Sequence, residues 1–425
     1  MILEGILLFV VFALLLCLRV PVAFALLASS IVPFFTEARL EAWTINQRLF
    51  FGVDSFVLLA VPLFILTSNI MNEAQVTGRL MDLTQAMVGW IRGGLAMVNV
   101  AVSMIFAGIS GSSTADTAGE GSIIIPQMMR RGYDRGFSVA VTAASSVIGV
   151  IIPPSIPMIV WASLTNTSIA AMFLGGVIPG ILVGLIQMGI VWVAAKRRNY
   201  PKEERLSFPQ VQRAFKASML ALGVPVVVVG GIVMGFVTAT EAAVLSVLYS
   251  LLLGTSVYRT IKLAELPRIF KQTAELACLP LFALAAASLF GYVLAYFQVP
   301  NMLLEVVRDL PAHWLLPFIV FCWLVLGTFL DALPGMVLMI PLFAPAVEAA
   351  GLDPVHYGVI SVVSLAVGLI TPPYGLCLLL ASAIAKAPIT EGVKELVPFF
   401  FGFLVVIILI IYFPQLILWL PGLLL

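Results

Sequence analysis

The sequence predicts an all-α polytopic membrane protein with an inverted internal repeat, two re-entrant helical hairpins and two broken helices. Three observations predict it. Of 425 residues, 62% are hydrophobic and 10% charged, at a mean hydropathy of +1.14; a soluble domain carries about 25% charged residues, so this chain cannot cover a water-facing surface. Residues 126–179 align on 345–398 without a gap, at an offset of 219 residues and with 11 identities in 54 positions. Paired prolines, Pro153-Pro154 and Pro372-Pro373, stand at equivalent places inside long apolar runs. A soluble enzyme is excluded, and continuous apolar runs, not alternating ones, exclude a β-barrel.

In chain order, 5–18 and 20–36 lack Asp, Glu, Lys and Arg and are candidate spans; crossing the hydrocarbon takes about 20 residues. The segment before them has Glu4 and no basic region, unlike a cleavable signal. Residues 37–52 are amphipathic and predict an interfacial arm, followed by an uncharged run at 55–72. Residues 93–109 are apolar, Ser110-Gly111-Ser112-Ser113-Thr114-Ala115-Asp116-Thr117 is polar, and apolar residues resume at 121–129. Two ordinary spans with a polar turn fit this pattern, as does a re-entrant hairpin; arms of only about 17 residues favour the hairpin. Residues 136–195 contain no Asp, Glu, Lys, Arg or His, room for at least two spans, and Pro153-Pro154 should interrupt the first of them. Unwound backbone at that depth is tolerated where it lines a cavity.

The linker 196–216 is the longest polar segment and holds seven basic residues. Beyond it, uncharged runs at 217–240, 242–258 and 276–304 flank a second amphipathic arm at 259–275. A second hairpin follows at 313–328 and 335–347, with the tip Phe329-Leu330-Asp331-Ala332-Leu333-Pro334. The second broken run is 357–385, and 396–425 ends the chain. The halves divide as 1–92 (scaffold helices and outer arm), 93–195 (first core half), 196–298 (cytoplasmic loop, scaffold helices and inner arm) and 299–425 (second core half). Gly176 and Gly180 form a GxxxG spacing read as packing.

Placing 196–216 in the cytoplasm threads 19 basic residues inside and only Arg39, Arg48 and Arg308 outside, with both termini periplasmic. The basic segment 130–135 lies inside, while its counterpart 349–354 has no basic residue and lies outside, so the halves are inverted. Inverted repeats with broken helices mark alternating-access transporters. Free carbonyls and Ser/Thr hydroxyls at each tip and break suit a hard cation, Na⁺ or H⁺, and half-helix N-termini suit an anion between the halves. Asp116, Glu120 and Asp331 are acids near hydrocarbon depth, read either as functional groups or as hydrogen-bonding groups within the hairpins.

Other chemistry finds no support. Cys17, Cys278, Cys322 and Cys377 are far apart and read as free core thiols, and His313 and His356 as isolated loop residues. There is no HExxH and no nucleotide-binding loop; a membrane-embedded enzyme and a channel are minor alternatives, and a net charge of +1 suggests no nucleic-acid partner.

The run Ser110–Thr117 with Arg131-Gly132-Tyr133-Asp134 and Ile152-Pro153-Pro154-Ser155-Ile156-Pro157, and the run Asp353-Pro354-Val355-His356-Tyr357-Gly358-Val359 with Gly368-Leu369-Ile370-Thr371-Pro372-Pro373-Tyr374-Gly375, closely resemble the large membrane subunit of tripartite ATP-independent periplasmic (TRAP) transporters. The resemblance spans essentially the whole chain. It implies no enzyme and no cofactor, but an elevator-type, Na⁺-coupled importer of organic acids such as C4-dicarboxylates, sialic acid or keto and sugar acids, in the bacterial inner membrane. It implies two partners, a small four-helix membrane subunit and a periplasmic substrate-binding protein. A self-sufficient Na⁺/carboxylate or ion transporter of the same architecture is the alternative. Carried over by position, one Na⁺ site falls at Ser110, Ser112, Gly149 and Pro153 and the other at Gly327, Thr328, Gly368 and Thr371, with substrate near Ser113, Thr114, Pro154 and Ser155. Ser364 and Cys377 depart from the family, which often carries Asn there. Neither terminus shows spare spans for a fused small subunit.

Overall fold

The computed structural model describes residues 2–18, 20–37, 39–202, 205, 207–308 and 311–425. Arg19 and Asp309, and the side chains of Arg308 and His313, lie outside the described residues. Among the described residues every regular element is helical.

The first half comprises α1 (Ile2–Cys17), α2 (Val22–Thr36), α3 (Trp43–Phe51), α4 (Ala60–Glu73), α5 (Val76–Val88), the hairpin α6 (Gly94–Ser110) and α7 (Ser113–Arg130), the broken pair α8 (Arg135–Ser146) and α9 (Ile156–Thr165), and α10 (Ile169–Arg197). A linking helix, α11 (Phe208–Met219), meets α12 (Gly223–Val233) at a 44° bend. The second half follows with α13 (Ala239–Leu252), α14 (Leu266–Tyr296), α15 (Val299–Arg308), the hairpin α16 (Ala312–Gly327) and α17 (Ala332–Ala349), the broken pair α18 (Pro354–Gly368) and α19 (Leu376–Ala385), then α20 (Ile389–Tyr412) and α21 (Gln415–Leu424). Shifting α7 by 219 residues lands on α17, and the same shift brings α8, α9 and α10 within a few residues of α18, α19 and α20. It also relates α2 to α13, α4 to α14 and α5 to α15, so the repeat extends through the scaffold. Among the described residues six helices are long and apolar enough to span a membrane, α4, α10, α13, α14, α17 and α20 with their flanking turns, and a seventh if the bent pair is one span.

Local chemistry sets these boundaries. Ser112 caps α7 by accepting from the Ala115 N–H, and Ser155 caps α9 by accepting from Met158. Asp353 accepts from the Val355 and His356 N–H groups and Pro354 follows at the first helical position, so α18 starts there. This corrects the placing of His356 in a loop: it lies in the first turn of α18, buried, with Nε2 2.8 Å from the Ile410 carbonyl oxygen. The second arm is also corrected. Residues 259–275 do not form a separate helix, because the 3-10 turn Leu263–Glu265 runs straight into α14, which carries the amphipathic stretch into the bilayer as its opening turns. On the opposite arm, the Arg48 guanidinium stacks on Tyr292 of α14 at 4.3 Å.

The two halves interlock. The scaffold pairs α2 with α14 and α4 with α13, which are the same pair under the repeat. In the core, α7 of the first hairpin packs on α19 of the second half, and α17 packs on α9 of the first. Trp161 on α9 lies 5.9 Å from Trp323 on α16 and 5.0 Å from Tyr357 on α18, which ties three core elements through buried rings; such pairs contribute about 0.5–1.5 kcal/mol each beyond burial. At one end Arg198 bonds Asp134 at 3.0 Å and Glu395 at 2.7 Å, and the Tyr200 hydroxyl donates to Asp134 at 2.6 Å, joining the start of α8 to α20. The halves differ where they meet the scaffold. α14 and α15 lie along α17, whereas α5 packs on α6 and α4 touches α7 only at a few points.

Candidate functional site

The site grows from the two hairpin tips. α6 stops at Gly111, whose φ of +63° is left-handed and suits a residue without Cβ. A side chain there would also meet the Pro154 carbonyl, so the tip turns against the break of its own half. The Gly111 carbonyl accepts from the Ile156 N–H at 3.3 Å. The second half repeats the contact: the Tyr374 N–H donates to the Thr328 carbonyl at 3.0 Å, and Gly368 lies directly against the Gly327 backbone. Both proline pairs, Pro153-Pro154 and Pro372-Pro373, are cis and interrupt their helices.

Seven of the eight candidate cation residues thus fall at two tip–break interfaces: Ser110, Gly149 and Pro153 in the first half, where Gly149 lies against Asp116 and Ser113, and Gly327, Thr328, Gly368 and Thr371 in the second, where Gly327 lies against Gly368. The Ser110 hydroxyl accepts from the Ser112 N–H, and the Ser112 hydroxyl pairs with that of Thr114 at 3.1 Å. Thr328 and Thr371 donate to carbonyls of the preceding turn, at 2.7 and 2.8 Å, and each keeps oxygen lone pairs available for a cation.

Between the tips lies a cavity of about 1200 Å³. Ser112, Ser113, Thr114 and Ala115 line it from the first tip, Asp331 and Leu333 from the second, and Pro373 and Tyr374 from the second break. Of the four candidate substrate residues, Ser113 and Thr114 reach the cavity. Pro154 and Ser155 are buried behind the tip, where the Ser155 hydroxyl donates to Val150 at 2.6 Å. The second break is more open, with its counterpart Pro373 on the cavity wall. N-termini of both α7 and α17 open on this space. At α17, however, the Asp331 carboxylate already takes the Ala332 N–H and Pro334 has none, so the free N–H groups come mainly from α7. Sequence reasoning missed the scaffold wall: Asn69, Asn72 and Glu73 at the end of α4 and Gln272 on α14 extend the cavity away from the tips. Their signal was a set of polar side chains closing an apolar run. Asn69 donates to Thr273 at 2.8 Å, and Glu73 pairs with Arg268 at 2.9 Å.

Behind the first tip is a buried polar network. Ser103 donates to Glu120 at 2.9 Å, Ser145 to Asn99 at 3.3 Å, and Asn99 to Thr142 at 2.7 Å. Asp116 is wholly buried against Gly149, near the Ser110 hydroxyl, and among the described residues neither carboxylate oxygen has a hydrogen-bond partner of good geometry. Ser113, one turn away, also has an unpartnered hydroxyl. Of the two readings of the intramembrane acids, hydrogen bonding within the hairpin describes one oxygen of Glu120, whose other oxygen has no partner, and neither oxygen of Asp116. Asp331 caps α17 through the Ala332 N–H at 2.8 Å and faces the cavity.

Comparison with known proteins bears on this arrangement. The family described as "Tripartite ATP-independent periplasmic transporter, DctM component" matches residues 9–416. The chain is 37% identical over 380 residues to the sialic acid TRAP transporter large permease protein SiaM of Vibrio cholerae, covering 89% of each chain. It is 36% identical to the C4-dicarboxylate TRAP transporter large permease protein DctM of Pseudomonas aeruginosa, covering 88% of each. Among solved structures, the YdaH transporter of Alcanivorax borkumensis superposes with a TM-score of 0.59 at 15% identity, over 88% of this chain and 90% of that one. That likeness concerns the fold alone.

Proposed function

The chain belongs to the DctM family of TRAP transporters, and on that premise we propose how its geometry moves a solute. It is a multi-pass membrane protein and a large permease subunit for organic acids, not an enzyme. The observation that carries the mechanism is that each hairpin tip is bonded to the break of its own half, with the cavity between them. In the proposal Na⁺ enters each tip–break interface, at Ser110, Ser112, Gly149 and Pro153 and at Gly327, Thr328, Gly368 and Thr371. Bound there, it draws tip and break together and shapes the cavity wall for an anion held on the N-terminus of α7, since the Asp331 carboxylate already occupies that of α17. Ser113 and Thr114 supply hydroxyls, and the cargo's negative charge is balanced by the co-transported cations, since no Lys, Arg or His lines the cavity among the described residues.

The cavity extends toward Glu73 and Gln272, beside the basic Arg268 and Lys271, which the positive-inside rule puts in the cytoplasm. This supports an inward-facing state. The unequal docking of the two hairpins on the scaffold supports a rigid elevator displacement of the core that exchanges the two docking modes. A topology measurement checks the frame. In a background lacking the exposed Cys17 and Cys278, Arg213→Cys should react with an impermeant thiol reagent only from the cytoplasm and Glu348→Cys only from outside. Labelling of both from one side rejects the inversion.

Among the described residues no domain stands over the cavity to capture a dilute solute, and we propose that a periplasmic binding protein delivers it, with a small membrane subunit bracing the scaffold. Proteoliposomes holding the permease and its small subunit, under an inward Na⁺ gradient, should take up little free organic acid. Addition of the cognate binding protein should raise uptake at least about tenfold, the effect of roughly 1.4 kcal/mol of productive docking. Saturable uptake at full rate without it would favour a self-sufficient Na⁺/carboxylate transporter.

A further inference from the structure

We propose that the surface formed by α5 and α11, with the side chain of Arg205, is a binding site for the headgroups of anionic phospholipids. α11 is held along α5 at both ends. The Ser218 hydroxyl donates to the Arg79 carbonyl at 2.8 Å at the start of α5, and the Arg205 guanidinium stacks 4.2 Å from the Trp90 ring just beyond its end. Arg79 and Arg92 bracket α5 at its two ends and fall on the same, basic side of the molecule, so α5 runs along the membrane surface and α11 beside it.

The faces of α11 sort by chemistry. Val211, Ala214 and Ser218 turn toward α5, at helical spacing. Phe208, Phe215 and Met219 form the next stripe and are left 80%, 50% and 53% exposed. Arg213 and Lys216 form the stripe beyond it, also exposed. A helix lying in an interface has this order: an apolar edge at the acyl boundary and cations lifted into the headgroups. From residue 202 to 219 the sequence has four basic residues against Glu203 and Glu204, and no acidic residue from 205 on. Arg205 carries a cation to Trp90, an aromatic of the kind enriched at headgroup depth. Water is a poor partner for the three exposed apolar side chains, and an uncharged partner leaves the cations uncompensated. Anionic lipid satisfies both, and clustered basic residues on an amphipathic helix attract it electrostatically.

The test uses the full-length protein reconstituted with spin-labelled lipids. Phosphatidylglycerol should associate with the wild type at least about fivefold more strongly than phosphatidylcholine, the contribution of roughly one basic residue at such a surface. High salt should reduce the preference by screening. The variant Lys202→Gln/Arg205→Gln/Arg213→Gln/Lys216→Gln should bring the ratio close to one; should that variant fold poorly, Arg213→Gln/Lys216→Gln should lower it measurably with unchanged thermal stability. A wild type with no lipid preference, or folded variants that retain it in full, overturns the proposal. So does efficient cross-linking of Arg213→Cys to a partner subunit in the intact complex, which would make this face a protein interface.

Discussion

Gly368→Ala should abolish uptake. The Cα of Gly368 lies so close to the Gly327 backbone that an added Cβ would overlap the carbonyl carbon and oxygen, not the end of a side chain that could swing aside. Overpacking typically costs about 1–3 kcal/mol, occasionally more, and an obstacle made of backbone on both sides puts this site at the upper end. The second tip and its break must separate, which pulls apart Thr328 and Thr371 and removes the hydrogen bond from the Tyr374 N–H. Uptake driven by a Na⁺ gradient should fall below detection, with a lowered midpoint of thermal unfolding. Gly189→Ala on α10 is the control: nothing lies within 4 Å of its Cβ position, so stability should stay level or rise by up to about 1 kcal/mol from helix propensity. Wild-type uptake by the Gly368→Ala protein would show that the tip and break need not stay in contact.

Asp116→Asn should separate stability from function. The carboxylate is buried with no hydrogen-bond donor and no counter-charge among the described residues, which is costly within a bilayer. An amide of the same shape removes that cost, so the variant should unfold at a higher temperature than the wild type when Na⁺ is absent. If the first tip–break interface holds Na⁺, the same substitution deletes the one buried acid lying against it. Loss of an interaction with a charged partner is worth about 1.5–3 kcal/mol, on the order of ten- to a hundredfold in Na⁺ affinity. Added Na⁺ should therefore stabilise the wild type and have little effect on the variant, and the Na⁺ concentration for half-maximal uptake should rise accordingly. A half-maximal concentration within twofold of the wild type would remove Asp116 from the cation site. Glu120→Gln should behave differently, because one Glu120 oxygen already accepts from Ser103 while only the other lacks a partner, and its effect should fall on stability more than on Na⁺ dependence.

Much of the plan was legible in order along the chain. Apolar runs free of charge located the spans. The paired prolines announced the helix breaks because ring sterics act within a few residues. The 219-residue register joined the halves, since a duplicated sequence repeats its prolines and glycines. The arm at 259–275 was misjudged for a related reason: amphipathicity reports which face is wet, not whether the helix continues, and the apolar residues after Lys271 extend it unbroken into α14.

The sequence by itself determined the membrane class, the inverted duplication, the hairpins, the broken helices and the residues at each tip. All depend on near neighbours in the chain or on its own repetition. Only the tertiary structure decided which of those residues share a space. Ser113 and Thr114 reach the cavity and Pro154 and Ser155 do not, Asn69, Asn72, Glu73 and Gln272 complete its wall, and Asp116 is left without a partner against Gly149. The physical reason is that these relations join α4, α7, α9, α14 and α17, far apart in sequence. Nothing in a residue's neighbours along the chain specifies which helix will pack against it, or whether its polar atoms will then meet a donor, a carbonyl or open space.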